Sequence, residues 1–201
     1  MELELSIDQF TAAPAFGSFE SYLSHVASHA GLGYTLEFGV FHGNSLRVLC
    51  GCRDHVFGFD SFAGLPEAWN FNPDIPHNAG YFSYPEWQKA KWPTNCTLVQ
   101  GLFADTLPPW LAANPGPAAL VHIDSDIYSS ARDVLTLLND RIVPGTIIAF
   151  DELSDWQSAP LYLTWQEHEW RALNEWLKQY DRKIVPLART NRYQAALRVT
   201  Q

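Results

Sequence analysis

Apolar residues fall in short unbroken runs along this chain. "YTLEFGVF" (34–41), "HVFGFDSF" (55–62), "CTLVQGLF" (96–103), "ALVHID" (119–124) and "TIIAFDEL" (146–153) each read as a strand covered on both faces. Between them the period changes to that of a helix. "GNSLRVLCGC" (43–52), "TLPPWLAAN" (106–114) and "SSARDVLTLLNDRI" (129–142) are the helical stretches, the last stopped by Pro144 and Gly145. This alternation predicts a parallel sheet with helices on both faces. Upstream, "FGSFESYLSHVASHAG" predicts an entry helix ending at Gly31, so that 1–33 is a helical lead-in. Downstream, "HEWRALNEWLKQY" sets Trp170, Leu173, Leu177 and Tyr180 on one helix face. "KIVPLAR" and "YQAALRV", separated by "TNR", predict an antiparallel hairpin. The expected architecture is one α/β domain over 1–201, with a doubly wound, mostly parallel, seven-stranded sheet and a C-terminal antiparallel hairpin.

One segment breaks the rhythm. Residues 63–95 are long for a connection within a compact domain, and loops of that length are usually functional or disordered. Trp69, Phe71, Tyr81, Phe82, Tyr84, Trp87 and Trp92 argue against disorder. The segment is expected to be a lid or acceptor wall, the alternative being a packed surface excursion.

In an open α/β sheet, ligands lie beyond the carboxyl ends of the strands. The first strand delivers Glu37, Gly39 and Gly43 there, the second Asp60, the third Gly101, the fourth Asp124 and Asp126, and the fifth Asp151 and Glu152. Unpaired, such acids repel one another, and burying any of them is costly. The pattern calls for hydroxyl groups, ammonium groups or a cation. Asp60 is placed where a carboxylate can accept both hydroxyls of a ribose. The glycine turn "LEFGVFHGNS" lacks the spacing of a dinucleotide fingerprint.

Composition narrows the field further. A net charge of −9 without any Lys/Arg run argues against a nucleic-acid partner. "MELELSIDQF" has no basic region leading into an apolar core, and no stretch approaches a membrane span, so a cytoplasmic protein is expected. The three cysteines, Cys50, Cys52 and Cys96, make no disulfide framework and have no partner at zinc spacing, so reduced thiols are expected.

"LEFGVFHGNS", "VFGFDSFAGLPEAW", "LVQGLFADTLP" and "VHIDSDIYSSARDVLTLLNDRIVPGTIIAFDEL" together resemble the class I S-adenosylmethionine-dependent methyltransferases, and most closely the macrocin O-methyltransferase family. The resemblance runs from about Tyr34 to Leu153. It implies a Rossmann-like methyltransferase fold and S-adenosylmethionine as cofactor. By that resemblance Glu37, Gly39, Gly43 and Ser45 lie against the methionine end and the helix start. Asp60 holds the ribose with Ser61 beside it, and Gly101 and Phe103 border the adenine. It also implies a metal site at Asp124, Asp151 and Glu152, where Glu152 departs from the family's Asp by one methylene.

The chemistry agrees with that implication. Carboxylates without His or Cys favour a hard cation such as Mg²⁺. A bound cation would acidify an acceptor hydroxyl and fix it in line with the sulfonium methyl. Asp124 is expected to contact the cofactor and to be the catalytic proton acceptor, while Asp126 is either a second base or the N-cap of the helix near Ser129. His122 is expected as a hydrogen-bonded core residue, His168 on a helix surface, and His42 in the glycine turn, touching cofactor or exposed. The reading is an O-methyltransferase of secondary metabolism acting on a small-molecule hydroxyl, on a sugar or polyphenol, with a homo-oligomer left open. Its alternatives are a metal-independent methyltransferase and a catalytically inactive nucleoside-binding module.

Overall fold

The computed structural model describes residues 5–201. A short helix, α1 (Asp8–Thr11), and a two-residue strand, β1 (Ala15–Phe16), lead into α2 (Phe19–Ser28), which Ser18 caps by accepting from the Ser21 amide. Then follow β2 (Tyr34–Phe38), α3 (Asn44–Cys52) and β3 (Val56–Asp60). A small hairpin, β4 (Trp69–Asn72) and β5 (Ile75–His77), interrupts the alternation. It resumes with β6 (Cys96–Gln100), α4 (Phe103–Ala113), β7 (Ala118–Ile123), α5 (Tyr128–Leu137) and β8 (Ile147–Phe150). The last elements are α6 (Glu169–Gln179), β9 (Ile184–Thr190) and β10 (Ala195–Val199).

The strands form one eight-stranded sheet in the order β1-β9-β10-β8-β7-β2-β3-β6, with β4-β5 apart as a second sheet. In the large sheet β10 runs antiparallel to both β8 and β9, and its other pairs are parallel; β4 and β5 pair antiparallel. The expected seven strands are therefore eight. The extra one is β1, which pairs with β9 through Ala15 and Phe16 alone and is too short to show any periodicity. Within the terminal hairpin the register shifts between Ala196 and Leu197, opposite Pro186. A proline cannot donate to a ladder, and a bulge accommodates it.

Alternation across the sheet sorts the core into two layers. Leu36, Phe38, Val121, Ile123, Ile148 and Phe150 face α4, α5 and α6. Leu120, Ile147, Ala149 and Ala196 face α2 and α3 through Tyr22, Leu23, Val26, Leu46 and Leu49. The expected Trp170, Leu173, Leu177 and Tyr180 stripe of α6 packs against the core, and the most deeply buried positions are Glu169, Ala172, Leu173 and Trp176. The helix thus takes a carboxylate into the interior. α5 ends at Leu137, earlier than its apolar pattern, and a 3₁₀ turn over Asn139–Arg141 completes the run. All three cysteines are free, and burial pushes the Cys50 thiol up to about 12. Among the described residues no helix is long and apolar enough to cross a membrane.

Candidate active site

Strand order reverses between β2 and β7, and there the loops after the two strands meet. The Asp124 amide bonds the Phe38 carbonyl at 2.8 Å. Gly39, at φ +94°, passes so close that a Cβ would stand 1.7 Å from the Asp124 carbonyl oxygen. Only glycine permits this approach, and it brings the glycine turn against the acidic loop.

A cavity of about 510 Å³ opens from this junction. It is lined by Gly39, Asp60, Ser61, Gly101 and Phe103, by the acids Asp124, Asp126, Asp151 and Glu152, and by the aromatic residues Trp69, Phe71, Phe82 and Tyr193. The 63–95 excursion thus supplies a cavity wall. It is closed on itself by bonds from the Leu65 amide to Tyr81 and from the Gly80 amide to Leu65. The β4–β5 hairpin then stacks Phe71 on Tyr162 with ring centroids 4.7 Å apart.

Of the residues read from the sequence, Gly39, Asp60, Ser61, Gly101, Phe103, Asp124, Asp151 and Glu152 line this cavity, whereas Glu37, Gly43 and Ser45 do not. Glu37 is fully buried, 3.2 Å from Nδ1 of His122. Gly43 starts α3 at φ +77°, with the Trp92 ring filling the place of a side chain. Ser45 is buried in the first turn. Asp60 has a second occupation that the sequence did not disclose. Its Oδ2 accepts from the Val40 and Phe41 amides, each at 2.7 Å, and its Oδ1 from the Phe62 amide at 2.6 Å. It therefore holds the glycine turn as well as facing the cavity.

Carboxylate oxygens of Asp124, Asp126 and Glu152 lie within 4.8 Å of one another. Asp126 does not cap α5. The capping position is Ile127, no side chain caps it, and Asp126 takes a left-handed backbone at φ +62° instead. Asp151 turns its Oδ2 toward Nε2 of Gln194 at 3.2 Å. Beneath both loops lies Glu169, absent from the sequence reading, which accepts from the backbone amides of Ser125 at 3.2 Å and Glu152 at 3.1 Å. His168, expected at the surface, is buried beside it and stacks with Tyr162, whereas His42 is exposed and stacks on Phe41. The signal for Glu169 was a Glu at helix spacing with Leu173 and Trp176, which reads as a solvated face until the helix is docked.

Burial pushes the carboxyls of Asp124, Asp126 and Glu152 well above their ordinary values. After burial, Asp151 is the strongest charged neighbour of Asp124 and Glu152, and Glu169 that of Asp126. Burial also pushes Glu169 up to about 8, against the pull of the amides it accepts from. Among the described residues no Lys or Arg pairs with any of these acids. Oε2 of Glu152 is buried without a partner. A buried, unpaired cluster of oxygen donors fits a hard divalent cation.

A mostly parallel sheet with a glycine turn at its switch point and a cavity beyond the strand ends defines a Rossmann-like α/β domain. Residues 36–153 match the family described as a methyltransferase domain, and the chain belongs to that family. A curated relative from Streptomyces olivaceus, the 8-demethyl-8-(2,3-dimethoxy-alpha-L-rhamnosyl)-tetracenomycin-C 4'-O-methyltransferase, is 29% identical over 140 residues, 60% of this chain and 52% of its own. The chain thus spans about half the length of that relative. Among solved structures, CalS11, a calicheamicin methyltransferase, superposes with a TM-score of 0.65 at 25% identity, over 89% of this chain and 76% of its own. The O-methyltransferase NovP shares the fold with a TM-score of 0.62 at 20% identity, over 90% of this chain and 78% of its own.

Proposed function

We propose that this chain transfers the methyl group of S-adenosylmethionine to a hydroxyl oxygen of a small molecule, with Mg²⁺ held by the acid cluster. The observation that carries this reading is the unpaired carboxylate cluster in a cavity that glycine-turn residues and aromatic residues also line. The residues at and around the glycine turn suit the cofactor. Gly39 leaves room for its methionine part, Asp60 and Ser61 face its ribose, and Gly101 and Phe103 border its base. The aromatic residues suit the acceptor. Trp69, Phe71 and Tyr193 offer apolar faces to a ring, while Asp124 and Asp126 offer acceptors to its hydroxyls.

Bound at the cluster, Mg²⁺ would acidify the acceptor hydroxyl and fix its oxygen. Asp124, Asp151 and Glu152 are the ligands that the resemblance implies. Asp124 and Glu152 lie in the close cluster of oxygens while Asp151 does not, and Asp126, the third member of that cluster, is the carboxylate placed to take the hydroxyl proton. Holding both partners in line is worth roughly 7–11 kcal/mol of the barrier in well-oriented reactions. The finer resemblance to macrocin-type enzymes, together with a relative named as a rhamnosyl-tetracenomycin 4'-O-methyltransferase, supports a sugar hydroxyl as acceptor.

The test is release of S-adenosylhomocysteine with a panel of glycosylated and phenolic acceptors, run with added Mg²⁺ and again in chelator. Turnover with Mg²⁺ that disappears in chelator is expected. Full turnover in chelator, with no metal retained, would favour a metal-independent methyltransferase. Cofactor binding without turnover of any acceptor would favour the inactive module.

A further inference from the structure

Pairing between β7 and β8 ends at Ile123 and Phe150, and beyond it the chain leaves the sheet as two loops, Asp124–Asp126 and Asp151–Leu153. Each loop carries acids of the cluster. A bond from the Asp151 amide to Ile123 ties them at the base. Higher up, both loops are tied through one side chain, Glu169 of α6. Its Oε1 accepts from the Ser125 amide and, at 3.4 Å, from the Ser125 hydroxyl, while its Oε2 accepts from the Glu152 amide.

Glu169 is a poor choice for stability alone. It is fully buried among four other acids, where each added negative charge raises the cost of ionising the rest. A carboxylate, however, has two acceptor oxygens set at a fixed angle, which neither an amide nor an apolar side chain offers. Its own position is anchored by Leu173 and Trp176, buried further along α6. The helix lies outside the 36–153 stretch that matches the family.

From this geometry we infer that Glu169 is a positioning residue, a clamp that sets the separation of the two acidic loops and so the width of the cation site. The cation half of this inference rests on the function proposed above, and the clamp half does not. Groups that hold metal ligands from behind typically change affinity by 10–100-fold when altered.

The experiment compares wild type with Glu169→Gln and Glu169→Ala. Mg²⁺ affinity is read by calorimetry, melting temperature without cation by calorimetric scan, and exchange of the Ser125 and Glu152 amides by NMR. Glu169→Gln keeps the volume and one acceptor oxygen. It is expected to melt no lower than wild type without cation, to bind Mg²⁺ about 10–100-fold more weakly, and to speed exchange of one of the two amides. Glu169→Ala is expected to speed both, leaving the amide of Val121 in β7 unchanged. Wild-type Mg²⁺ affinity in Glu169→Gln would overturn the cation half. Unchanged exchange of both amides in Glu169→Ala, or a uniform rise across the sheet, would overturn the clamp. If wild type itself binds no Mg²⁺, the proposed metal site fails, and the amides alone decide the clamp.

Discussion

Gly39 and Asp124 belong to loops that pass each other within the space of one methyl group. A Cβ on Gly39 would sit 1.7 Å from the carbonyl oxygen of Asp124. Gly39→Ala must push the acidic loop away and also strain a backbone held at φ +94°. The left-handed strain alone is worth about 1–3 kcal/mol. A lower melting temperature is expected, together with loss of S-adenosylhomocysteine binding by calorimetry. A variant that binds as well as wild type would mean the loops move apart freely.

Asp60 accepts from three backbone amides around the glycine turn. Asp60→Ala removes those acceptors along with the proposed ribose contact. Each charge-assisted bond contributes roughly 1.5–3 kcal/mol, so the variant should lose both stability and cofactor affinity. Asp60→Asn, which keeps one acceptor oxygen, should fall between. Cofactor affinity unchanged in both variants would remove Asp60 from the ribose site and leave it a turn residue.

The acids predict an inverted pH dependence for the protein without cation. Glu169 ionises at about 8 in the folded protein against an ordinary 4.5, so the folded state holds its proton more tightly than the unfolded chain does. That contribution is fully present below about 4.5 and is lost as pH rises through about 8. Asp124, Asp126 and Glu152 shift in the same direction and add to it. Melting temperature without cation should therefore fall across this window, and Mg²⁺ should restore it most at the alkaline end. A stability that rises over the same window would contradict the burial of these carboxyls.

Asn substitutions separate ligands from base. Asp124→Asn and Asp151→Asn should weaken Mg²⁺ binding and turnover together. Asp126→Asn should lower kcat while leaving Mg²⁺ affinity within a few-fold. Glu152→Asp should preserve or tighten the cation. Calorimetry beside turnover tells these apart. Loss of Mg²⁺ affinity in Asp126→Asn, with none in Asp151→Asn, would exchange the two roles.

The aromatic lining can be tested without touching the acids. Phe71 stacks on Tyr162 and lines the cavity. Phe71→Ala should raise the acceptor KM with little change in cofactor affinity. A rise in both would mean the excursion shapes the whole cavity.

Much of this protein is written locally. Leu120–Ile123 and Ile147–Phe150 form buried parallel strands because unbroken apolar runs can be covered only on both faces. Since ligands lie beyond strand ends, Asp60, Asp124, Asp151 and Glu152 could be placed at one edge from the order of elements alone. β1 escaped because two residues carry no period, and its pairing depends on where β9 lies. The partners of the acids escaped for a different reason. The amides of Val40 and Phe41 reach Asp60 only after the turn closes. Asp126 joins the cluster through a left-handed backbone, where the sequence offered an ordinary helix cap. Glu169 reads as solvated on its own helix, and docking α6 buries it between Ser125 and Glu152. Periodicity records which face of an element is apolar. The three-dimensional packing decides which buried amides are left needing an acceptor, and here a carboxyl side chain, distant in sequence, supplies it.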